Sequence, residues 1–297
     1  MVDLTGMSTE RTNPKSTHLS SMSIEEAVTL MNDEDLETVA AVKRAKPQIV
    51  ALIEKSSKAL QDGGRIIYMG AGTSGRLGVL DAVECPPTFG VGYNTVVGLI
   101  AGGDSAFVKA KEGAEDSREF GADDLKAIDL NNKDIVIGIA ASGRTPYVLG
   151  GLEYARSIGC ETGGVVCNEN SPIAKEVEGC IELVVGPEVL TGSTRLKSGT
   201  ATKMVLNMIS TISMIGIGKV YGNYMVDVKM TNEKLVSRGI RIVRTLTGCS
   251  VEEAQAALKE SGNSVKTAIA MIEHHCPASQ AKALLDEAKG HLDRIPD

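Results

Sequence analysis

Aromatic side chains are scarce: phenylalanine, tyrosine and tryptophan together make up 3% of the 297 residues, and tryptophan is absent. Stacking on single-stranded nucleic acid needs such rings, and binding a duplex needs a basic field. The formal charge is -7, with 38 acidic against 31 basic residues, so nucleic acid is set aside as a partner. Long apolar runs are missing too. No stretch reaches the ~18 consecutive apolar residues that would span a bilayer, and the N-terminal MVDLTGMSTERTNPKSTHLSS has no apolar signal core. A cytoplasmic protein with no membrane partner is expected. The six cysteines, Cys85, Cys160, Cys167, Cys180, Cys249 and Cys276, form no C-x-x-C pair. A chain this long does not depend on disulfides for its stability, so reduced and mostly buried thiols are expected. The G-x-x-x-x-G-K-[ST] phosphate loop is also absent, which removes that class of nucleotide site.

What is present is an apolar fraction of 42%, enough for one large core with a satellite or for two modest domains. Residues 1–22 are polar and rich in turn formers. A helical pattern begins at Ser23 with Glu25 and Glu26 in its first turn, and a longer helix is predicted from about Asp35 to Leu60, bent near Pro47. Strand-length apolar runs then alternate with helical patterns: Ile66–Met69, Val96–Ala101, Ile135–Ala140, Gly164–Cys167 and Ile181–Val185. That alternation predicts an α/β fold, a parallel sheet covered by helices on both faces. The Met-rich segment Thr200–Tyr221 reads as a helix buried on most sides, either core or a subunit interface. From about Thr245 the chain carries three short helical patterns, a small module with a ubiquitin-associated-like rhythm. The expected division is 1–60 for N-terminal helices packing on the core, 61–244 for the sheet domain and 245–297 for the helical module.

Three loops carry the chemistry. YMGAGTSGRLG, from Tyr68 to Gly78, places Gly70, Gly72 and Gly75 in the order G-x-G-x-x-G behind a strand. The dinucleotide version of this loop needs an acid about 20 residues on; here that region reads Phe89-Gly90-Val91-Gly92-Tyr93. Pro86 and Pro87 also predict an early end to the following helix, so a nicotinamide enzyme is disfavoured. Thr73 and Ser74 add hydroxyls to a helix start, which suits a phosphate or a sugar. The second loop, Ala141-Ser142-Gly143-Arg144-Thr145-Pro146, offers the same chemistry after an equivalent strand. The third, TGSTRLKSGTATK from Thr191 to Lys203, collects Ser193, Thr194, Arg195, Lys197, Ser198 and Thr200. Taken singly, each loop reads as an ordinary turn and helix cap; three at equivalent strand ends point to one site.

With GAGTSGR, ASGRTPY, LTGSTRLKSGTATK, the N-terminal TERTNPKSTHLSSMS and DAVECPPTFG together, the chain resembles the N-acetylmuramic acid 6-phosphate etherase family of the sugar isomerase (SIS) domain superfamily. The likeness runs from about Thr9 into the helical tail; residues 1–8 read as a leader, and Ser198 and Thr202 depart from the expected pattern. The resemblance implies cleavage of a lactyl ether by elimination and addition of water, in reuse of cell-wall amino sugar, with no cofactor and no metal, by a homodimer. It implies that Glu84 and Glu115 are the acid/base pair. Gly72, Thr73, Ser74, Ser142, Gly143, Arg144, Thr145, Ser193 and Lys197 are then expected to bind the substrate, with the phosphate on the Ser142–Thr145 loop. Read from the residues alone, Glu115 among Glu112, Asp116 and Glu119 is a solvated face, and Arg144 is a surface ion pair. Two rivals stay open: a sugar-phosphate-sensing regulator like the related glucokinase regulatory protein, and an aldose-ketose isomerase. His274, His275 and Cys276 read as a helix end rather than a metal site, and His18 as a loop residue that could reach a partner subunit.

Overall fold

The computed structural model describes residues 6–109, 111, 113–230 and 232–296. Most of the leader read at residues 1–8, and Glu112 beside Glu115, lie outside the described residues. The chain groups into two compact units, Met1–Val83 with Asn94–Ser210, and Glu84–Tyr93 with Thr211–Asp297.

In the first unit, α1 (Ile24–Arg44) opens on Ser23 and Glu26, which bond each other's backbone N–H in a reciprocal cap. The expected bent helix is instead two helices. α1 stops at Ala45, and α2 (Lys46–Gln61) starts with Pro47 in its first turn, where proline's missing N–H costs nothing. Five strands follow, β1 (Ile66–Gly70), β2 (Val96–Ile100), β3 (Ile135–Ala140), β4 (Glu161–Val166) and β5 (Gly179–Glu182), in the order β2-β1-β3-β4-β5, with every pairing parallel. β4 and β5 begin earlier than their apolar runs. Gly163, outside the expected run, and Gly164, which opens it, have no side chain that favours a strand, yet a Cβ at each would fall 2.4 Å from Leu52 Cδ1 and 2.9 Å from Ile173 Cγ2 respectively. Neighbouring side chains fill the space above a bare backbone, so packing rather than propensity places the strand.

The connecting helices are α3 (Gly72–Phe89), α4 (Ser105–Val108), α5 (Arg118–Ala127), α6 (Pro146–Ser157), α7 (Pro172–Glu176) and α8 (Lys197–Gly216). One sheet face is covered by α5, α6 and α7 through Ile67, Met69, Leu125, Val136, Tyr147, Val148, Leu152 and Ile173. On the other, Leu52 of α2 sits at Gly163, and Gly78 of α3 lies against Tyr68 and Ile139. α3 runs through Pro86 and Pro87 to Phe89 rather than stopping before them. Proline's φ is itself helical; what is lost is two hydrogen bonds, and the Gly90 N–H still closes the last turn on the Pro86 carbonyl at 3.0 Å. α8 buries one side through Ala201, Val205, Leu206, Ile209 and Met214, while Ile212 and Ile215 stay exposed, so this Met-rich helix is part core and part open apolar surface.

In the second unit, a two-stranded antiparallel hairpin, β6 (Val220–Tyr221) and β7 (Tyr224–Met225), precedes α9 (Glu233–Thr247), α10 (Val251–Glu260), α11 (Val265–Glu273) and α12 (Ala278–Glu287). The three short helices share their core with α9, through Ile242, Val243, Ala254, Leu258, Ile269 and Leu285. His274 caps the end of α11, and His275 turns through the left-handed region at φ 50. All six cysteines are thiols rather than disulfides; Cys85, Cys160 and Cys167 are buried and the other three half-buried. Burial pushes the Cys167 thiol up to about 12, which keeps it an inert thiol.

Candidate active site

A sheet ordered 2-1-3-4-5 winds outward in both directions from β1 and β3, and in such sheets ligands bind at the carboxyl ends of the strands at that switch point. The first two loops leave the sheet there. After β1, Ala71 alone separates Gly70 from the start of α3, so Thr73 and Ser74 occupy the first helical turn. The first N–H groups of a helix have no partner within it and attract an anion. A Cβ on Gly75 would fall 2.6 Å from the Gly70 carbonyl oxygen, so the strand can turn directly into the helix only with glycine at that position. The Arg76 guanidinium donates to the carbonyls of Phe107 (2.7 Å) and Ala106 (3.1 Å), tying α4 to this loop.

Between them lies a cavity of about 190 Å3, lined by Ala71, Gly72, Arg76, Ala101, Ala106, Lys111, Gly113 and Glu115. Glu115 is thus brought to the mouth of the first loop. It sits on a 3-10 turn, Ala114–Asp116, opened by Gly113 at φ 75. Its acidic neighbours in sequence concealed this placement, which the crossover from β2 creates.

In the second loop, Gly143 holds φ +69, and a Cβ there would fall 2.3 Å from Ser171 Cβ. Two reasons, handedness and space, demand glycine. Ser142 Oγ accepts the Arg144 N–H at 3.4 Å. Thr145 caps α6 through its carbonyl, which accepts from Val148 and Leu149 at 3.1 Å, and its hydroxyl makes no cap bond. Ser142, Arg144 and Thr145 are half-buried. The loop therefore presents hydroxyls, a guanidinium and a helix start together.

The third loop differs from expectation. The N–H groups of Lys197 and Ser198 at the start of α8 donate to the two oxygens of Glu188, at 3.0 and 2.9 Å, and Glu188 is fully buried. The chain supplies its own carboxylate where an anionic ligand would sit. Lys197, expected on the substrate, points inward: its side chain is 3% exposed and its Nζ lies 2.6 Å from Glu34 Oε2. Burial alone would raise the Glu34 carboxyl, but hydrogen bonds from Lys15, Lys197 and Asn13 and the Lys197 charge hold it at about 2. In this structure the Lys197 ammonium is thus turned to a buried carboxylate. Ser193 stays half-buried on the loop, and a Cβ on Gly199 would fall 3.7 Å from Thr73 Cγ2, so the start of α8 adjoins the first loop.

Glu84 is exposed on α3, and it is not among the residues lining the cavity. One turn before it, Asp81 is buried and accepts from Ser210 Oγ at 3.1 Å. Burial pushes the Asp81 carboxyl up to about 6, against the pull of Ser210, Tyr68 and the Lys203 charge. Asp81 went unremarked in the sequence because a lone acid in a helix gives no sign of which way it faces.

Sheet order and switch-point loops define a doubly wound α/β domain, and residues 48–156 match the glucokinase regulatory protein N-terminal SIS domain family, which makes it a domain of the SIS class. Residues 222–266 match the C-terminal lid domain of glucokinase regulatory protein. Over nearly its whole length the chain is similar to single proteins. It is 56% identical over 282 residues, 95% of this chain and 96% of the other, to the N-acetylmuramic acid 6-phosphate etherase of Francisella tularensis subsp. novicida (strain U112). It is 55% identical over 98% of both chains to that of Enterobacter sp. (strain 638), and 57% identical over 91% of both to that of Lactococcus lactis subsp. lactis (strain IL1403). The chain belongs to the N-acetylmuramic acid 6-phosphate etherase family.

Proposed function

We propose that this protein cleaves the D-lactyl ether of N-acetylmuramic acid 6-phosphate, yielding N-acetylglucosamine 6-phosphate and D-lactate. The observation that supports it most is identity above one half across nearly the full length of proteins bearing that name. In the opened sugar the hydrogen on carbon 2 lies beside the aldehyde and is acidic enough for a carboxylate base. Its removal expels lactate from carbon 3, and water adds to the resulting unsaturated aldehyde. One carboxylate takes the carbon-2 proton and a second protonates the departing oxygen and later activates water. Glu84 and Glu115 are the proposed pair. Glu115 is supported by its cavity beside Gly72, and Glu84 by its place in DAVECPP. The Ser142–Thr145 loop holds the phosphate, with Thr73 and Ser74 toward the sugar; Ser193 completes the sugar side.

The same reading includes a cytoplasmic homodimer. Exposed aliphatic side chains on α1, Ile24, Val28 and Val39 at 86%, 62% and 56% exposure, support a face offered to a second copy. Incubation with N-acetylmuramic acid 6-phosphate, with D-lactate read by a coupled dehydrogenase, tests the activity. No D-lactate at high protein concentration, with the sugar phosphate still bound, leaves the regulator reading, which the two regulatory-protein matches favour.

A further inference from the structure

Residues 7–16 contain only two single turns of 3-10 helix, yet Met7, Thr9, Asn13 and Ser16 are buried. What holds this strap is a side chain just past β4. Asn168 is 5% exposed, and its amide nitrogen donates at 3.0 Å both to Thr9 Oγ1 and to the carbonyl of Ala141. Its amide oxygen accepts from the N–H of Ser8 at 2.8 Å and of Thr9 at 3.4 Å, so every donor and acceptor of the amide is used. Ala141 is the residue directly before Ser142. The Arg144 guanidinium touches the strap as well, 3.4 Å from Met7 Sδ. Farther along, Asn13 Nδ2 donates to Glu34 Oε2 at 2.8 Å and to the Pro187 carbonyl at 3.3 Å. The strap thus joins the second loop to the buried ion pair at the start of α8.

We propose that Asn168 is a positioning residue for the Ser142–Thr145 loop: it pins Ala141 to the N-terminal strap and so keeps the loop shaped for a phosphate before one arrives. This rests on the reading that the loop takes the substrate's phosphate. A polar loop left loose must be ordered during binding, which weakens affinity. Bond breaking at carbon 3, far from the phosphate, is untouched by that ordering. The signature is a loss of anion affinity with the chemical step preserved, which general destabilisation does not produce.

The test is an inorganic phosphate titration followed by 31P NMR, beside steady-state kinetics on N-acetylmuramic acid 6-phosphate. Asn168→Ala deletes the bond to Ala141 together with those to the strap, and is predicted to weaken phosphate binding about tenfold and raise KM to match, with kcat within about twofold. Inhibition by D-lactate should not change. Thr9→Val, which deletes one bond on the strap side, should move phosphate affinity the same way by a smaller factor. In the Asn168→Ala background it should add nothing. Unchanged phosphate affinity in Thr9→Val and Asn168→Ala, a fall in kcat alone, or strict additivity would overturn the proposal. Should Asn168→Ala not fold, Thr9→Val and Asn168→Asp, which cannot donate to Ala141, carry the same comparison. The phosphate titration needs no turnover, so a protein that releases no D-lactate but loses phosphate affinity in Asn168→Ala would sink the etherase reading while keeping this one.

Discussion

Replacing Glu34 by glutamine keeps the shape of the side chain and removes its charge, leaving the Lys197 ammonium buried without a counterion. Both side chains are nearly inaccessible, at 9% and 3% exposure. In the fold Glu34 titrates at about 2 against an ordinary 4.5, and each factor of ten in proton affinity is worth about 1.4 kcal/mol. Its ionised form therefore contributes about 3 kcal/mol at neutral pH, in line with the roughly 3–5 kcal/mol lost when one partner of a buried pair is removed. For a chain of this size that is a fall in melting temperature of roughly 6–12 °C. Because the folded value lies below the unfolded one, the contribution is complete above about pH 4.5 and disappears as pH falls toward 2. Calorimetry of Glu34→Gln and the unaltered protein should show a gap that is constant from pH 7 to about 5 and closes in acid. The double variant Glu34→Gln, Lys197→Met should recover most of the stability, since an apolar replacement of the whole pair leaves no stranded charge. It should also still release D-lactate. A gap under about 1 kcal/mol at neutral pH would refute the buried-pair reasoning, and a stable double variant with abolished substrate binding would return Lys197 to the sugar.

Three further outcomes are expected. Glu84→Gln should lower kcat by at least about a hundredfold, the usual worth of a general acid or base, with substrate binding measured by calorimetry largely kept; near-normal turnover would remove Glu84 from the chemistry. Turnover in heavy water should place deuterium on carbon 2 of the amino sugar, detected by mass spectrometry, whereas direct displacement would leave that position unlabelled. Gly143→Ala must cope with φ +69 and with Ser171 at 2.3 Å, so a loss of about 1–3 kcal/mol in stability, seen in melts, should accompany a sharply raised KM.

The loops behave differently when sequence and structure are set side by side. GAGTSGR and ASGRTP announce themselves because their glycines answer local demands: a strand turning at once into a helix, and a left-handed residue packed on Ser171. LTGSTRLKSGT has the same composition, but Glu188, nine residues before Lys197, reaches its helix start and fills the anion position from within. Nothing in the spacing marks a carboxylate for that role. Glu115 is exposed, as an acid among acids suggests, and the crossover after β2 also sets it at the edge of a cavity. The strand alternation was legible except at its start in β4, where Gly163 depends on Leu52 from a distant helix, and Pro86 and Pro87 misled because they fall in the last turn of α3, where their cost to the helix is confined.

By itself the sequence determined the parallel α/β architecture, the hydroxyl-bearing glycine loops and the family, because periodicity, turn chemistry and motif order are properties of neighbouring residues. Only the tertiary structure decided which charges face the candidate cavity and which face each other. Glu34, Asn168 and the start of α8 are far apart along the chain, and direction and burial, which no local pattern encodes, decide whether a charged or polar group turns to the surface or to a partner within the fold.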